Sequence, residues 1–163
     1  MNSEFVPIPP AFAARVRGRC RWSGLLSITL VVAALIGTFA GGAMLLPALP
    51  LGGVFAVVLG GLGCAFALVS AITLVAGASY VNTGYLNATY ARQARRTLIT
   101  MLVATILPAG IASLFLAVSA SNAGVFPPAA LLCLALLWLP CALALIDMII
   151  GRSLLNPAKA THW

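Results

Sequence analysis

The chain has 163 residues, of which 63% are hydrophobic and only 7% are charged, and its mean hydropathy is +1.13. A soluble domain is about half apolar and about a quarter charged, so this composition excludes a water-soluble globular protein. The net charge is +7. The basic residues flank apolar runs and do not form a groove with interleaved aromatics, which argues against nucleic-acid binding.

Residues 1–21 are predicted to form a basic tail on the cytoplasmic or interfacial side of a membrane. Pro7, Pro9 and Pro10 disfavour a helix at the start of this tail. Residues 11–21 carry four arginines, and we expect them to form a short helix lying at the membrane surface.

Two uncharged apolar runs follow, over about residues 24–46 and 51–79, with Pro47 and Pro50 between them. Both runs exceed the ~18 residues that a spanning helix needs. They therefore predict an antiparallel transmembrane hairpin. The first run is longer than the apolar core of a signal peptide, so we expect it to be an uncleaved helix.

A polar stretch over residues 80–97 separates this hairpin from the rest of the chain. Its three arginines, Arg92, Arg95 and Arg96, are spaced so that they share one face of a helix. Tyrosines precede them, and tyrosines with arginines are typical of a membrane–water boundary. This rim is predicted to contact lipids, including anionic headgroups.

Two further apolar runs cover about residues 98–120 and 129–150, and each contains one proline, Pro108 or Pro140, that is expected to bend it. Residues 152–163 form a short basic tail.

All nine basic residues fall before the first run, between the second and third runs, or after the fourth run. These places lie on one side of a four-span protein, and positive charge marks the cytoplasmic side. The predicted fold is an all-α integral membrane protein, a four-transmembrane-helix bundle of two antiparallel hairpins over residues 22–151. Both termini are expected to be cytoplasmic, and the preference for Arg over Lys indicates a bacterial plasma (inner) membrane.

Small residues recur at four-residue spacing in the first two runs. Gly37 and Gly41 form one such pair, and in the second run Gly60 lies four residues before Cys64 and Gly63 lies four residues before Ala67. Lipid provides no hydrophobic drive between helices, so contact depends on close packing at small side chains. Gly37, Gly41, Gly60, Gly63 and Ala67 are predicted to pack the first two helices together.

One acidic residue, Asp147, lies inside an apolar run. Its position near the end of the fourth run predicts an interfacial acid paired with Arg95, Arg96 or Arg152. The alternative is a proton or cation site within the membrane.

The single histidine, His162, is the penultimate residue, which argues against a bound haem or a carboxylate-bridged metal. None of the four cysteines forms a Cys-x-x-Cys pair, and they are interpreted as small packing residues. No cofactor or metal is predicted.

No acid–base pair suited to catalysis is apparent, so we do not expect an enzyme. The favoured hypothesis is a non-catalytic accessory, structural or assembly subunit of a larger respiratory, photosynthetic or transport complex, whose partners are other membrane protein subunits. The alternative is a small oligomeric transporter or channel for a neutral or lipid-like substrate.

The predicted topology can be tested by cysteine labelling from outside intact cells. Probes at Ala48 or Asn122 should react, because these positions lie in the two uncharged connections. Probes at Gln93 or Ala158 should not react. Labelling at Gln93 would contradict the model of four spans with both ends inside.

Overall fold

The computed structural model describes residues 5–82 and 85–155. Four long helices dominate this part of the chain, and each is long and apolar enough to cross a membrane. They are α1 (Pro10–Leu45), α2 (Pro50–Ser79), α3 (Ala88–Ala123) and α4 (Pro128–Leu154). The predicted four-helix, all-α fold is confirmed, and the chain is a multi-pass helical membrane protein.

Local sequence signals explain where the helices begin and end. Helices α1, α2 and α4 each begin with a proline, which fits the first turn because its missing N–H has no partner there. The Asn87 side chain caps α3 by accepting a hydrogen bond from the Tyr90 backbone N–H at 3.0 Å. At its other end, α3 stops at Gly124, whose φ of 64° is readily adopted only by glycine.

Helices α2 and α4 each contact all three other helices. Successive helices pack side by side, α4 closes the ring against α1, and α2 and α4 also meet across the bundle. The buried positions of α2 recur at alternating steps of three and four residues and are mostly small. They include Gly53, Ala56, Gly60, Gly63, Ala67, Ser70, Leu74 and Gly77.

Gly37 and Gly41 pack against α4, whereas the sequence pattern predicted that they pack against α2. A Cβ added at Gly37 would lie 3.0 Å from Leu136, and one added at Gly41 would lie 2.8 Å from the Cys133 sulfur. The four-residue spacing identifies a close-packed face. It does not indicate which neighbouring helix packs on that face. In this bundle α4 packs against α1 and covers it.

The contact between α1 and α2 is made by other small residues. A Cβ at Gly53 would lie only 2.9 Å from the carbonyl oxygen of Gly42, so the two backbones are in near contact. Further along the same interface, Ala67 is buried in one cluster with Val31 and Ala34. These contacts join the two helices of the first hairpin.

Gly60 and Gly63 face different neighbours. A Cβ at Gly60 would lie 2.5 Å from Thr38 and 2.8 Å from Leu137, so this glycine fills a three-helix junction. A Cβ at Gly63 would lie 3.8 Å from the carbonyl oxygen of Thr105, which is ordinary van der Waals contact. Of these two positions, only Gly60 lacks the space for a larger side chain.

One end of the bundle, called the basic end here, carries the arginines and a small antiparallel sheet. Its strands are β1 (Phe5–Pro7), β2 (Val81–Asn82) and β3 (Tyr85–Asn87), in the order β1-β3-β2. The sheet and the extensions of α1 and α3 beyond the apolar runs form a folded cap over residues 5–21, 80–82 and 85–97. A cluster of buried apolar side chains, including Ile8, Phe12, Val16, Leu86 and Leu155, holds the cap together.

The cap differs from the sequence prediction, which had a separate surface helix over residues 11–21. Residues 10–21 are the first turns of α1, continuous with the span. The reason is an apolar stripe at helical spacing, Phe12, Val16 and Cys20, all buried against the cap. Helix α1 begins at residue 10, whereas the predicted run begins at residue 24. At 1.5 Å per residue, α1 is therefore about 20 Å longer than predicted at this end.

The steric difference between glycines gives a direct test of the packing. Gly60→Ala should destabilise the protein by about 1–3 kcal/mol, because the new methyl group overlaps Thr38 and Leu137. Gly110→Ala is the matched control, since a Cβ there meets no atom within 4 Å. Reversible unfolding of the purified protein in detergent measures both. Equal stability of the two variants would contradict this packing.

Candidate functional site

Asp147 on α4 lies in the interior of the bundle, with none of its surface exposed. The Ser27 hydroxyl on α1 donates a hydrogen bond to its Oδ1 at 2.8 Å. Asp147 is seven residues before the end of α4, which places it roughly 10 Å inside the helix at 1.5 Å per residue. A carboxyl group at such a place is costly in lipid and usually has a function.

The arginine pairing predicted for Asp147 is not what the structure shows. Arg152 is exposed at the surface and follows Asp147 by five positions, which puts it roughly 140° around the helix. Arg95 and Arg96 precede Leu98, and Leu98 already packs one turn beyond Asp147, against Gly151. Arg95 and Arg96 therefore belong to the cap and Arg152 to the exposed end of α4, whereas the hydrogen-bond partner of Asp147 is Ser27.

The second carboxylate oxygen, Oδ2, has no hydrogen-bond partner among residues 5–82 and 85–155. The Ser70 hydroxyl on α2 shares this property, and Ser70 is also fully buried. These are the two unpartnered buried side-chain atoms found in the described residues. Buried polar groups normally have partners, so each is an exception that requires an explanation.

Ser70 and Asp147 lie at the same depth. Helices α2 and α4 run in the same direction, and Gly60 packs at Leu137 while Leu74 packs at Gly151. The two residues of each contact are the same number of positions apart in the sequence, and Ser70 and Asp147 are also this number of positions apart. Ser27 is at this depth too, through its hydrogen bond. We call Ser27, Ser70 and Asp147 the polar layer.

Apolar contacts enclose the polar layer on both sides. Towards the basic end, a side chain at Gly151 would collide with Leu98 and approach Leu74. Towards the opposite end, Ala67 and Leu143 belong to one buried cluster. Apolar side chains thus lie on both sides of the polar layer along the bundle axis.

Two other buried hydroxyl groups behave differently. Thr38 donates to the Ala34 carbonyl oxygen and Thr105 donates to the Met101 carbonyl oxygen, both at 2.7 Å. Each satisfies its hydroxyl within its own helix, as Ser and Thr commonly do in membrane spans. Ser70 has the same opportunity but no such bond, so its hydroxyl is available to a group outside its own helix.

The arginines of α3 line a second, exposed feature at the basic end. Arg92 and Arg96, with Thr89 and Gln93, border a shallow surface pocket of about 480 Å³. Arg95 is half-buried on the same part of the helix. Their spacing puts two guanidinium groups and two neutral polar groups on one face, which suits an anionic group such as a phosphate.

The cysteines are dispersed through the bundle, and all four are buried and free. Cys141 lies 3.6 Å from the Thr105 carbonyl oxygen, to which its thiol donates. Across the described ranges, no three His, Cys, Asp or Glu residues come together in a group that could hold a metal ion. His162 lies outside the described residues, as do Lys159 and most of the C-terminal tail.

Comparison with known proteins adds no relative: no family model, curated protein or solved structure matches the chain. The sequence and the fold alone therefore define the class, a multi-pass protein of four membrane-spanning helices with the Asp147 carboxyl group in its interior. Sequence reasoning found Asp147 but missed Ser27 and Ser70. A serine within an apolar run is common, and only the register between helices distinguishes these two.

The hydrogen bond between Ser27 and Asp147 can be tested by a double-mutant cycle. Ser27→Ala should lower the unfolding free energy by about 1 kcal/mol, because Oδ1 then loses its donor. Adding Asp147→Leu should restore part of this loss, since the unpartnered acceptor is removed as well. Thr29→Ala is the control, because Thr29 bonds only to the Leu25 carbonyl of its own helix. Strict additivity of the two substitutions would show that the contact does not form.

Proposed function

We propose that this protein is a non-catalytic accessory or assembly subunit of a larger membrane protein complex. It resides in a bacterial inner membrane with the basic end in the cytoplasm. The observation that supports this role is the cap. It is a folded, arginine-bearing surface on a protein whose only described acidic side chain, Asp147, is buried inside the bundle.

The construction of the cap favours docking. Pairing of β1 with β3 ties the N-terminal residues to the connection between α2 and α3, and the apolar cluster beneath the sheet fixes both to the helices. A surface that is already ordered loses little conformational entropy when it binds, so more of the contact energy remains as affinity.

The positions of the arginines point to two kinds of anionic contact. Arg95 and Arg96 lie within one turn of the apolar part of α3 and can reach lipid headgroups, where each contributes about 1 kcal/mol with anionic lipid. Arg17 and Arg92 lie roughly 10 Å beyond the apolar runs by helical rise. That distance is comparable to the ~8 Å screening length at physiological salt, so their attraction to the headgroups is weakened. The contact that suits them is an acidic surface of a partner protein.

A second candidate function, a small oligomeric transporter for a neutral or lipid-like substrate, is favoured by one groove. It lies on the outer surface between α3 and α4, has a volume of about 360 Å³ and is lined by Leu102, Ile106, Trp138, Cys141, Ala142 and Leu145. The Trp138 indole N–H donates to the Ser113 hydroxyl at 3.1 Å, which holds the ring at the groove. An apolar site of this kind needs few polar groups of its own to bind a hydrophobic molecule.

Co-purification in a mild detergent distinguishes the two functions. A subunit should bring a partner chain in a fixed ratio, whereas a transporter should give a homo-oligomer alone. Replacing Arg92, Arg95 and Arg96 together by Gln should release the partner, because the positive charge of the α3 face is lost. The matched variant with Lys at all three positions keeps the charge and should retain the partner.

Topology is checked in both triple variants by labelling at Ala48, since fewer positive charges weaken the signal for orientation. Retention of the partner by the correctly oriented Gln variant would contradict docking through this face. Absence of any stoichiometric partner from the wild-type preparation would contradict the subunit proposal as a whole.

A further inference from the structure

We propose that Asp147 is an occluded proton-binding site, in which the folded bundle holds the carboxyl group as its neutral acid at neutral pH. The proton lies on Oδ2, and its exchange with water at the basic end passes the side chain of Leu98. This inference goes beyond the proposed function and does not depend on it, since a subunit and a transporter could each contain such a site.

The first argument is the surroundings of the carboxyl group. Asp147 has none of its surface exposed, and apolar side chains lie on both sides of it along the bundle axis. Taking a charged carboxylate out of water is costly unless a cation or several hydrogen bonds replace the water. Among the described residues, Asp147 receives one hydrogen bond, from Ser27. One hydrogen bond is a poor substitute for the hydration of an ion, whereas a neutral acid does not need that hydration.

The titratable groups that share the interior with Asp147 are thiols. The Cys20 thiol on α1 lies within electrostatic reach of the carboxyl group. Cys64 on α2 and Cys141 on α4 are also buried and free. A thiol is either neutral or negative, so it cannot balance the charge of a carboxylate. Repulsion between a thiolate and a carboxylate would favour the neutral form of both groups.

The arginines do not supply the missing positive charge. Helix α2 contains no basic residue, and the arginines of α1 lie in the cap, at least six residues before Ser27. Arg95 and Arg96 on α3 lie beyond Leu98, and Arg152 is exposed at the end of α4. A carboxylate at the depth of Asp147 would therefore be an uncompensated charge inside a membrane protein. Binding of a proton removes this charge.

The third argument is the pattern of hydrogen bonds. The Ser27 hydroxyl donates to Oδ1, as a hydroxyl group does to the carbonyl oxygen of a neutral acid. Oδ2 has no partner in the described residues. A proton binds to this one oxygen atom and needs no further ligands. The arrangement thus assigns the carbonyl role to Oδ1 and the acidic O–H to Oδ2.

The fourth argument concerns access from the basic end. Leu74 and Leu98 are fully buried, and a side chain at Gly151 would collide with Leu98. Gly151 lies one helical turn from Asp147, which is about 6 Å by helical rise. These three residues therefore form a closed apolar plug between the carboxyl group and the cap. A proton can leave towards the basic end only when this plug opens, so exchange with water should be slow.

Infrared spectroscopy of the full chain tests the protonation state. The protein is purified in a maltoside detergent, which has no carbonyl group of its own. Asp147 is the single aspartate of the chain, so aspartate labelled with a heavy isotope in its side-chain carbon marks this carboxyl group alone. At neutral pH the C=O band of a protonated acid should be present and should shift with the label. It should be lost in Asp147→Asn and kept in Glu4→Gln, which removes the other acidic side chain of the chain.

Transfer into heavy water tests the occlusion. The C=O band shifts when the acidic proton is replaced by a deuteron, so the rate of the shift measures exchange. Leu98→Ala should speed the exchange by roughly tenfold, because the cavity lowers the cost of local opening. Leu116→Ala is the matched control, since Leu116 is equally buried on the same helix but lies at the opposite end. It should leave the rate close to that of the unmodified protein.

Three outcomes would overturn the proposal. A label-dependent carboxylate band in place of the acid band at neutral pH would mean that Asp147 is held as an ion. This outcome is visible in the unmodified protein, so it does not depend on the folding of a variant. Complete exchange within the mixing time in the unmodified protein would mean that water reaches the carboxyl group. Equal exchange rates in the Leu98→Ala and Leu116→Ala variants would mean that the proton does not pass the plug.

Discussion

The bundle depends on one constraint, the absence of a hydrophobic drive between helices in lipid. Lipid tails are as apolar as leucine, so two helices gain by meeting only where their surfaces fit closely. Helix α2 meets this requirement with a nearly continuous face of glycine, alanine and serine. Gly60 at the junction with Thr38 and Leu137 shows how little space remains. Other features of the interior follow from this close approach.

The polar layer is one result of the close packing. Serine has a short side chain, so Ser27 on α1 reaches Asp147 on α4 only because the backbones of these two helices are close. The same closeness excludes bulk water from Oδ2 and from Ser70. Close packing thus creates a small, enclosed set of oxygen atoms in an otherwise apolar bundle, while the arginines remain on the cap, where the charge is solvated.

Much of the fold could be predicted from the sequence because apolar runs of sufficient length have one stable arrangement in a membrane. The predicted runs matched the four helices closely at the uncharged end, but at the basic end α1 and α3 begin ten or more residues before the predicted runs. There α1 and α3 continue past the lipid, and tertiary contacts of Phe12 and Leu86 decide the structure. Strands of two or three residues carry no periodic signal, so the sheet was missed. The partners of Gly37 and Asp147 depend on which helices are adjacent, which spacing along one helix does not encode.

The sheet in the cap has a consequence for the order in which the protein is assembled. Strand β1 lies at the start of the chain, yet it pairs only with β3, which follows the second helix. During synthesis the N-terminal strand must therefore wait until about eighty further residues have emerged before its partner exists. The entropy lost in closing a loop rises only slowly with its length, so the delay costs little free energy. The first hairpin can enter the bilayer while its cap is still open, and pairing of β1 with β3 then marks the moment when the two halves of the chain are joined.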